Sequence, residues 1–440
     1  MILLYSEEIT HRLAYVAQLI FTQILQVEVE FTTNSSDFMK SEKPKLNYSF
    51  EKFGDEFYIK PHRLLFCKAL IQPDIKSVWY EGEKYFFESS DDSVLPFDPL
   101  AASFYLVTRY EEYLETERGK YNRFPAEKSV LAKYRLLQKP VVNIWARLLA
   151  EKLKEKFTEL IFPRPEFSFI STIDIDNAWA FKNKGFMRSV GALAKAFLKG
   201  NLSEAKQRMN VWMGHETDPY DTYDYLDSVF QGNEDKVQFF FLLGDYARFD
   251  KGISYKNKHF VNLVKQTAQK YTVGIHPSFA SSKKNGKRKL CTEIGRLEKI
   301  TGTLPEKSRQ HFLRLQFPRT YRRLIKAGIQ SDFTMGYASQ TGFRAGICTP
   351  YFFYDLKKEK TTDLKIFPFH VMDVTLRDYL ALTPEKAWQE TKKIMFEVKK
   401  VGGTFISIWH NETINDFGHW EGYRQVFEKM NKTGFEWANE

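Results

Sequence analysis

Two hydrophobic patterns follow one another along this chain. Up to residue 90, short apolar runs read as strands: ILLYS at 2–6, VEVEF at 27–31, KLNYSF at 45–50, EFYIKP at 56–61 and KYFFE at 84–88, with one helical run over 7–25. Residues 98–114, DPLAASFYLVTRYEEYL, carry apolar positions at helical spacing, with Asp98 suited to cap the helix and Pro99 to fill its first turn. A second amphipathic helix, 140–157, runs out before Pro163 and Pro165, which mark a domain boundary near residue 160.

Beyond that boundary the pattern changes. Seven apolar runs, FSFISTIDID, KVQFFFLLGD, YTVGIHPS, SRQHFLRL, SDFTMG, IFPFHVMD and TFISIWHN, alternate with segments long enough for helices. Strands joined by helix-length connections pair in parallel, and a curved parallel sheet with helices outside is a (β/α) barrel or a relative of one. The expected architecture is α/β: a smaller N-terminal α/β domain over 1–160, then a (β/α)7 barrel over 161–440.

Composition narrows the class. With 43% hydrophobic and 27% charged residues, the 440-residue chain is that of a folded protein with a sizeable core. No 18-residue apolar stretch occurs and the N-terminus lacks the basic and apolar blocks of a signal peptide, so no membrane span and a cytoplasmic location are expected. Cys67, Cys291 and Cys348 lie far apart, against a disulfide framework or a thiolate zinc site. The net charge of +10 is spread along the chain; its densest cluster, Lys283 to Lys289 around Asn285-Gly286, reads as a solvated loop, and without an accompanying nucleic-acid motif no such partner is expected.

Candidate chemistry gathers where the C-terminal strands end, the active end of such barrels. In TIDID, Asp174 and Asp176 stand two apart on a strand, so both carboxylates face one space; a cation relieves their repulsion, whereas one capping and one solvated aspartate is the competing reading. His276 in GIHPS, His311 in RQHFLR and His410 in SIWHN each end a candidate strand. One such imidazole is commonly a hydrogen-bonded rim residue. An aspartate with two histidines and an open position is the ligand set of a catalytic metal.

The order TIDID, HPSF, RQHFLR and a late WHNE resembles the serial motifs of the polysaccharide deacetylases, carbohydrate esterase family 4, over about 166–431. It is most similar to a divergent bacterial branch whose members carry GFRAG (342–346 here) and an extra N-terminal domain with a segment like 98–113. The resemblance implies a distorted barrel of the polysaccharide-deacetylase type, a divalent metal, and attack of metal-bound water on an acetyl group carried by a carbohydrate. Zinc comes first, with cobalt, manganese or iron as alternatives. It makes Asp174 the general base, Asp176 and His276 metal ligands, His410 the general acid and Arg309 the residue that orients the base. The second histidine of the family's HSxxH motif is missing at Phe279, Ala280 and Ser281, so His311 is the expected third ligand. Arg344 is expected to meet substrate or a developing oxyanion. Trp409 would wall the substrate pocket, with a core position as the competing reading, and Asp373 would border the substrate site or orient His410. A hydrolase of another amide, such as an allantoinase, and a catalytically silent glycan- or partner-binding barrel remain the alternatives. Glycoside hydrolysis fits poorly, because carboxylates two apart on one strand are closer than a pair that flanks a bond. The oligomeric state is not readable from the sequence.

Overall fold

The computed structural model describes residues 1–115 and 117–440. Near the N-terminus, β1 (Ile2–Tyr5), β2 (Val29–Thr32), β3 (Lys45–Asn47) and β4 (Phe57–Tyr58) form an all-parallel sheet in the order β2-β1-β3-β4. The helical run begins at His11–Ala17 and continues as wider π-type turns over Gln18–Ile24. A hairpin of β5 (Ser77–Tyr80) and β6 (Glu83–Phe86) follows. Asp98 caps the helix Pro99–Val107, taking the N–H groups of Leu100 and Ala101 at 3.0 Å each on Oδ1, while Oδ2 accepts from Tyr48 Oη (2.6 Å) and His62 N (2.7 Å). Burial pushes its carboxyl up to about 6 even with those four donors.

Six of the seven C-terminal runs contain a strand, several of them short, and the seventh, SRQHFLRL, gives only its first residue to one: β7 (Ser168–Ile175), β8 (Val237–Phe241), β9 (Thr272–Ile275), β10 (Lys307–Ser308), β11 (Ser331–Asp332), β14 (Val371–Met372) and β15 (Thr404–His410). They pair in parallel in the spatial order β11-β10-β9-β8-β7-β15-β14. An antiparallel pair that the sequence reading overlooked, β12 (Tyr351–Asp355) and β13 (Lys360–Ile366), extends one edge, with β13 parallel to β11. Among the described residues no ladder joins β14 to the opposite edge, so the ladders alone leave the sheet open. Single backbone bonds run along the segment between: Phe367 N to Asp332 O (2.9 Å), Phe369 N to Met335 O (3.0 Å) and His370 N to Ile406 O (2.9 Å). Lys287, Arg288 and Lys289 open the helix Lys287–Thr301 instead of lying in a loop.

Period-two alternation sorts the sheet into two faces. Phe240, Phe333, Ile406 and Ile408 pack together on the inner face. Phe239, Phe241, Ile173, Phe405 and Trp409 join the larger core under the helices, which runs without a break into Leu4, Phe104 and Trp145 of the N-terminal part. The GFRAG segment lies in that junction. Phe343 N donates to Leu137 O (2.8 Å) and Val142 N to Gly346 O (2.9 Å). A side chain at Gly342, whose φ is +110°, would stand 2.2 Å from Leu137 O, so glycine is required by both backbone and space. Among the described residues no helix is long and apolar enough to cross a membrane.

Candidate metal centre and its cleft

Strand alternation and strand ends place the site. Asp174 lies on the inner face of β7, and Asp176 follows one residue past its end. His276 directly follows β9, and His410 is the last residue of β15. His311 is not on a strand: β10 stops at Ser308, and the chain turns sharply through Phe312 and Leu313, both in the left-handed region (φ +60° and +52°). That turn carries the imidazole back over the ends of β7 and β9. Metal-ligating atoms of Asp176, His276 and His311 all lie within 4.8 Å of one another.

Hydrogen bonds behind the histidines fix their tautomers. His276 Nδ1 lies 2.6 Å from Arg309 O, a carbonyl that only accepts, so Nδ1 carries the proton. His311 Nδ1 lies 2.9 Å from Asp250 Oδ1, and His410 Nδ1 lies 3.0 Å from both oxygens of Asp373. The neutral rings of His276 and His311 therefore aim Nε2 lone pairs toward Asp176, 3.1 Å from Oδ1 and 3.2 Å from Oδ2, while His410 Nε2 lies 4.0 Å from Oδ2. Acceptors face acceptors. Asp176 Oδ1 is buried and has no hydrogen-bond partner. A divalent cation satisfies this donor set, and the anchored Nδ1 atoms are the usual outer support of metal-binding imidazoles. Protons are the other way to relieve the conflict. Burial opposes charge on His311, yet Asp176 and Asp250 outweigh it and raise its pKa to about 9. Asp176 is held well below the usual carboxylate range, because the two imidazoles outweigh its own desolvation.

Asp174 stands apart from this triad. Its Oδ1 takes Arg309 Nη1 at 2.8 Å, and its Oδ2 is 3.9 Å from His276 Nε2. Arg309 is fully buried, also donating to Phe333 O (3.0 Å) and Thr172 Oγ1. Desolvation likewise disfavours the charged form of His410, but Asp373 reverses it and lifts the pKa well above 6.5.

These groups line a cleft of about 430 Å³. Asp174, Asp176, His276, His311 and His410 reach it; Arg309 lies behind Asp174. The three residues expected at the substrate do not line it. Arg344 is buried against the N-terminal part in a two-pronged pair with Glu112 (2.8–3.0 Å), which consumes its charge. Trp409 precedes His410 on β15 and so faces the opposite side, packing on Phe427 with ring centroids 5.2 Å apart. Asp373 is fully buried and accepts from the backbone N–H of His410 (2.8 Å) as well as lying 3.0 Å from its ring Nδ1.

Several residues escaped the sequence reading. Asp250 takes the backbone N–H groups of Phe279 (2.7 Å) and Ala280 (3.1 Å) as well as His311, so the turn where a second histidine was expected is tied to the carboxylate that supports its replacement. From the N-terminal part, Lys120, Tyr121 and Arg123 border the cleft. Arg123 donates to Phe312 O (2.6 Å) and Tyr379 Oη (3.0 Å), and Tyr121 sits edge-on to Phe312 at 4.7 Å. Nothing local in ERGKYNRF marks those three. A carboxylate behind a candidate ligand histidine was a findable signal in principle, but Asp250 lies five residues past the strand run it follows.

Comparison with known proteins adds the following. A family of unknown function (DUF7033) matches residues 2–158. No curated protein matches the chain. Among solved structures, a protein described as a polysaccharide deacetylase from Mycobacterium smegmatis is 14% identical, over 62% of this chain and 86% of the other, with a TM-score of 0.41. PuuE allantoinase is 10% identical over 62% and 85%, with a TM-score of 0.41. The polysaccharide deacetylase Bc1974 from Bacillus cereus is 13% identical over 60% and 87%, with a TM-score of 0.31. Likenesses this distant carry no functional information about the present chain.

Proposed function

We propose that this chain is a metal-dependent hydrolase that removes an acetyl group from an amino sugar, a polysaccharide or a glycan precursor. The observation that supports this most is the arrangement at Asp176, where anchored imidazoles turn lone pairs onto a carboxylate already poor in donors. Asp176, His276 and His311 would hold the metal. A divalent cation there supplies a Lewis acid that polarises the acyl carbonyl and acidifies water. Asp174, held by Arg309, takes the proton from the attacking water as general base. His410, kept protonated by Asp373, delivers a proton to the departing nitrogen or oxygen. Leu313 and Met372 offer the acetyl methyl an apolar wall, and Lys120, Tyr121 and Arg123 offer the sugar polar and aromatic contacts. The same reading closes the sheet into a distorted barrel, supported by the backbone bonds that the 367–370 segment makes toward both β11 and β15.

Metal content of the wild type, His276→Ala and His311→Ala, measured with acetate release from acetylated sugars, tests this. About one zinc, cobalt, manganese or iron per wild-type chain is expected, lost in both variants together with activity. Metal binding without acetate release, but with opening of cyclic amides, would shift the substrate to another amide. Failure to take up metal after soaking would sink the enzymatic reading and leave a glycan- or partner-binding barrel.

A further inference from the structure

Between Asp176 and β8 the chain makes a pair of helices, Phe186–Leu198 and Leu202–Met213, that behave unlike the others. An amphipathic helix normally turns its apolar stripe to the core, as Val141–Lys156 does with Val142, Trp145, Leu149 and Leu153. Along Phe186–Leu198 the stripe Phe186, Val190, Leu193 and Phe197 is equally regular, but Ala196 is the helix's one buried residue. Phe186 is 79% exposed, Met187 83% and Leu198 89%. Nine of the twenty large apolar side chains that stand exposed among the described residues fall in 186–213. Such a concentration marks an interaction surface.

Charge identifies what the surface fits. Residues 182–213 hold seven basic residues against one acidic, and that one, Glu204, is tied to Arg208 at 2.6 Å. Lys195 and Lys199, within and at the end of the same helix, are exposed and pair with no carboxylate among the described residues. The root of the pair is fixed: Asp218, itself buried, accepts the backbone N–H groups of Ala180, Phe181 and Lys182 at 2.7, 2.7 and 2.9 Å. Exposed Phe, Met and Leu side chains on a helix that also carries unpaired lysines, set on a firm base, are the composition of a helix that lies in the plane of a bilayer surface. We infer that the 186–213 helix pair docks the protein peripherally on an anionic lipid membrane, apolar stripe in the headgroup layer and lysines against the lipid charge. The pair leaves the sheet at the end of β7 that carries Asp176, so docking holds that end of the molecule toward the lipid. This inference is independent of the catalytic reading.

Co-sedimentation of the full-length protein with vesicles of phosphatidylcholine, with and without phosphatidylglycerol, tests it. The protein is expected to pellet with the phosphatidylglycerol vesicles and to be released by salt. Lys195→Gln with Lys199→Gln should weaken binding roughly 25-fold, at about fivefold per charge removed. Phe186→Ser with Leu198→Ser should abolish binding with the thermal melt unchanged, since both side chains already face solvent. No pelleting with either vesicle, equal pelleting with phosphatidylcholine alone, or binding unaffected by either double variant would overturn the inference. So would a dimer in sedimentation velocity that the Phe186/Leu198 variant dissociates while vesicle binding is absent, which would give the face to a second copy of the chain.

Discussion

Around Glu112 every buried charge meets its opposite. Arg344 and Arg109 both grip that carboxylate, Arg109 also takes Glu111 at 2.7 Å, and Glu111 in turn accepts the N–H of Val130 at 2.8 Å. The two arginines hold Glu112 below the usual carboxylate range in spite of its desolvation. Around Asp176 the same ingredients, buried carboxylates and basic side chains, leave lone pairs opposed and an oxygen without a donor. In the first cluster both carboxylates are paired with arginines, and the pairs join the N- and C-terminal parts. The second is complete only with a cation or with protons that a reaction can move. Burial and ion pairing alone do not separate a structural cluster from a chemical one; unsatisfied donor and acceptor arithmetic does.

The comparison can be broken in stages. Deleting residues 1–163 removes Glu112, Arg109 and half of a shared core, so the isolated remainder should be insoluble or lack a cooperative unfolding transition; a soluble, active fragment would show that the junction is dispensable. Glu112→Ala leaves two buried guanidinium groups without their partner and should lower stability by about 3–5 kcal/mol in denaturant titration, with metal content per folded chain unchanged. Asp373→Asn keeps the fold but loses the anion that charges and aims His410; acetate release should fall by roughly 10- to 100-fold with metal retained. The gentlest probe is pH. In metal-free protein the pKa of His311 is raised from 6.5 to about 9, so the stability from its protonated form is fully present below about 6.5 and fades as pH climbs toward 9. Metal competes with that proton, and affinity should strengthen over the same interval; a flat titration would remove His311 from the site.

Much of this was readable in the chain. Six of the seven strand runs of the C-terminal part contain a strand, because apolar runs between helix-length segments leave little else to build, while SRQHFLRL turns after its first residue. The same-face rule that joined Asp174 to Asp176 also forbids Trp409 from sharing the side of His410, so that expectation failed for want of applying a known rule a second time. Arg344 is different. Its partner Glu112 is 232 residues away, and no local pattern reports a pair made over such a separation. Asp250 and Lys120 to Arg123 were hidden for the same reason: their roles depend on where loops land. The hairpin of β12 and β13 was missed because its second strand, KTTDLKI, is largely polar although it pairs on both sides.

The docking of GFRAG onto the 98–143 region has a consequence for biosynthesis. The N-terminal half emerges from the ribosome with its docking surface around Leu106, Leu131 and Val141 still uncovered, because the Gly346 that packs there has not yet been made. At ordinary elongation rates the wait is roughly 10 to 40 seconds, far longer than hydrophobic collapse takes. During that interval the apolar side chains that later pack against Gly346 lack their cover, which makes the unfinished chain more prone to aggregate than the finished one.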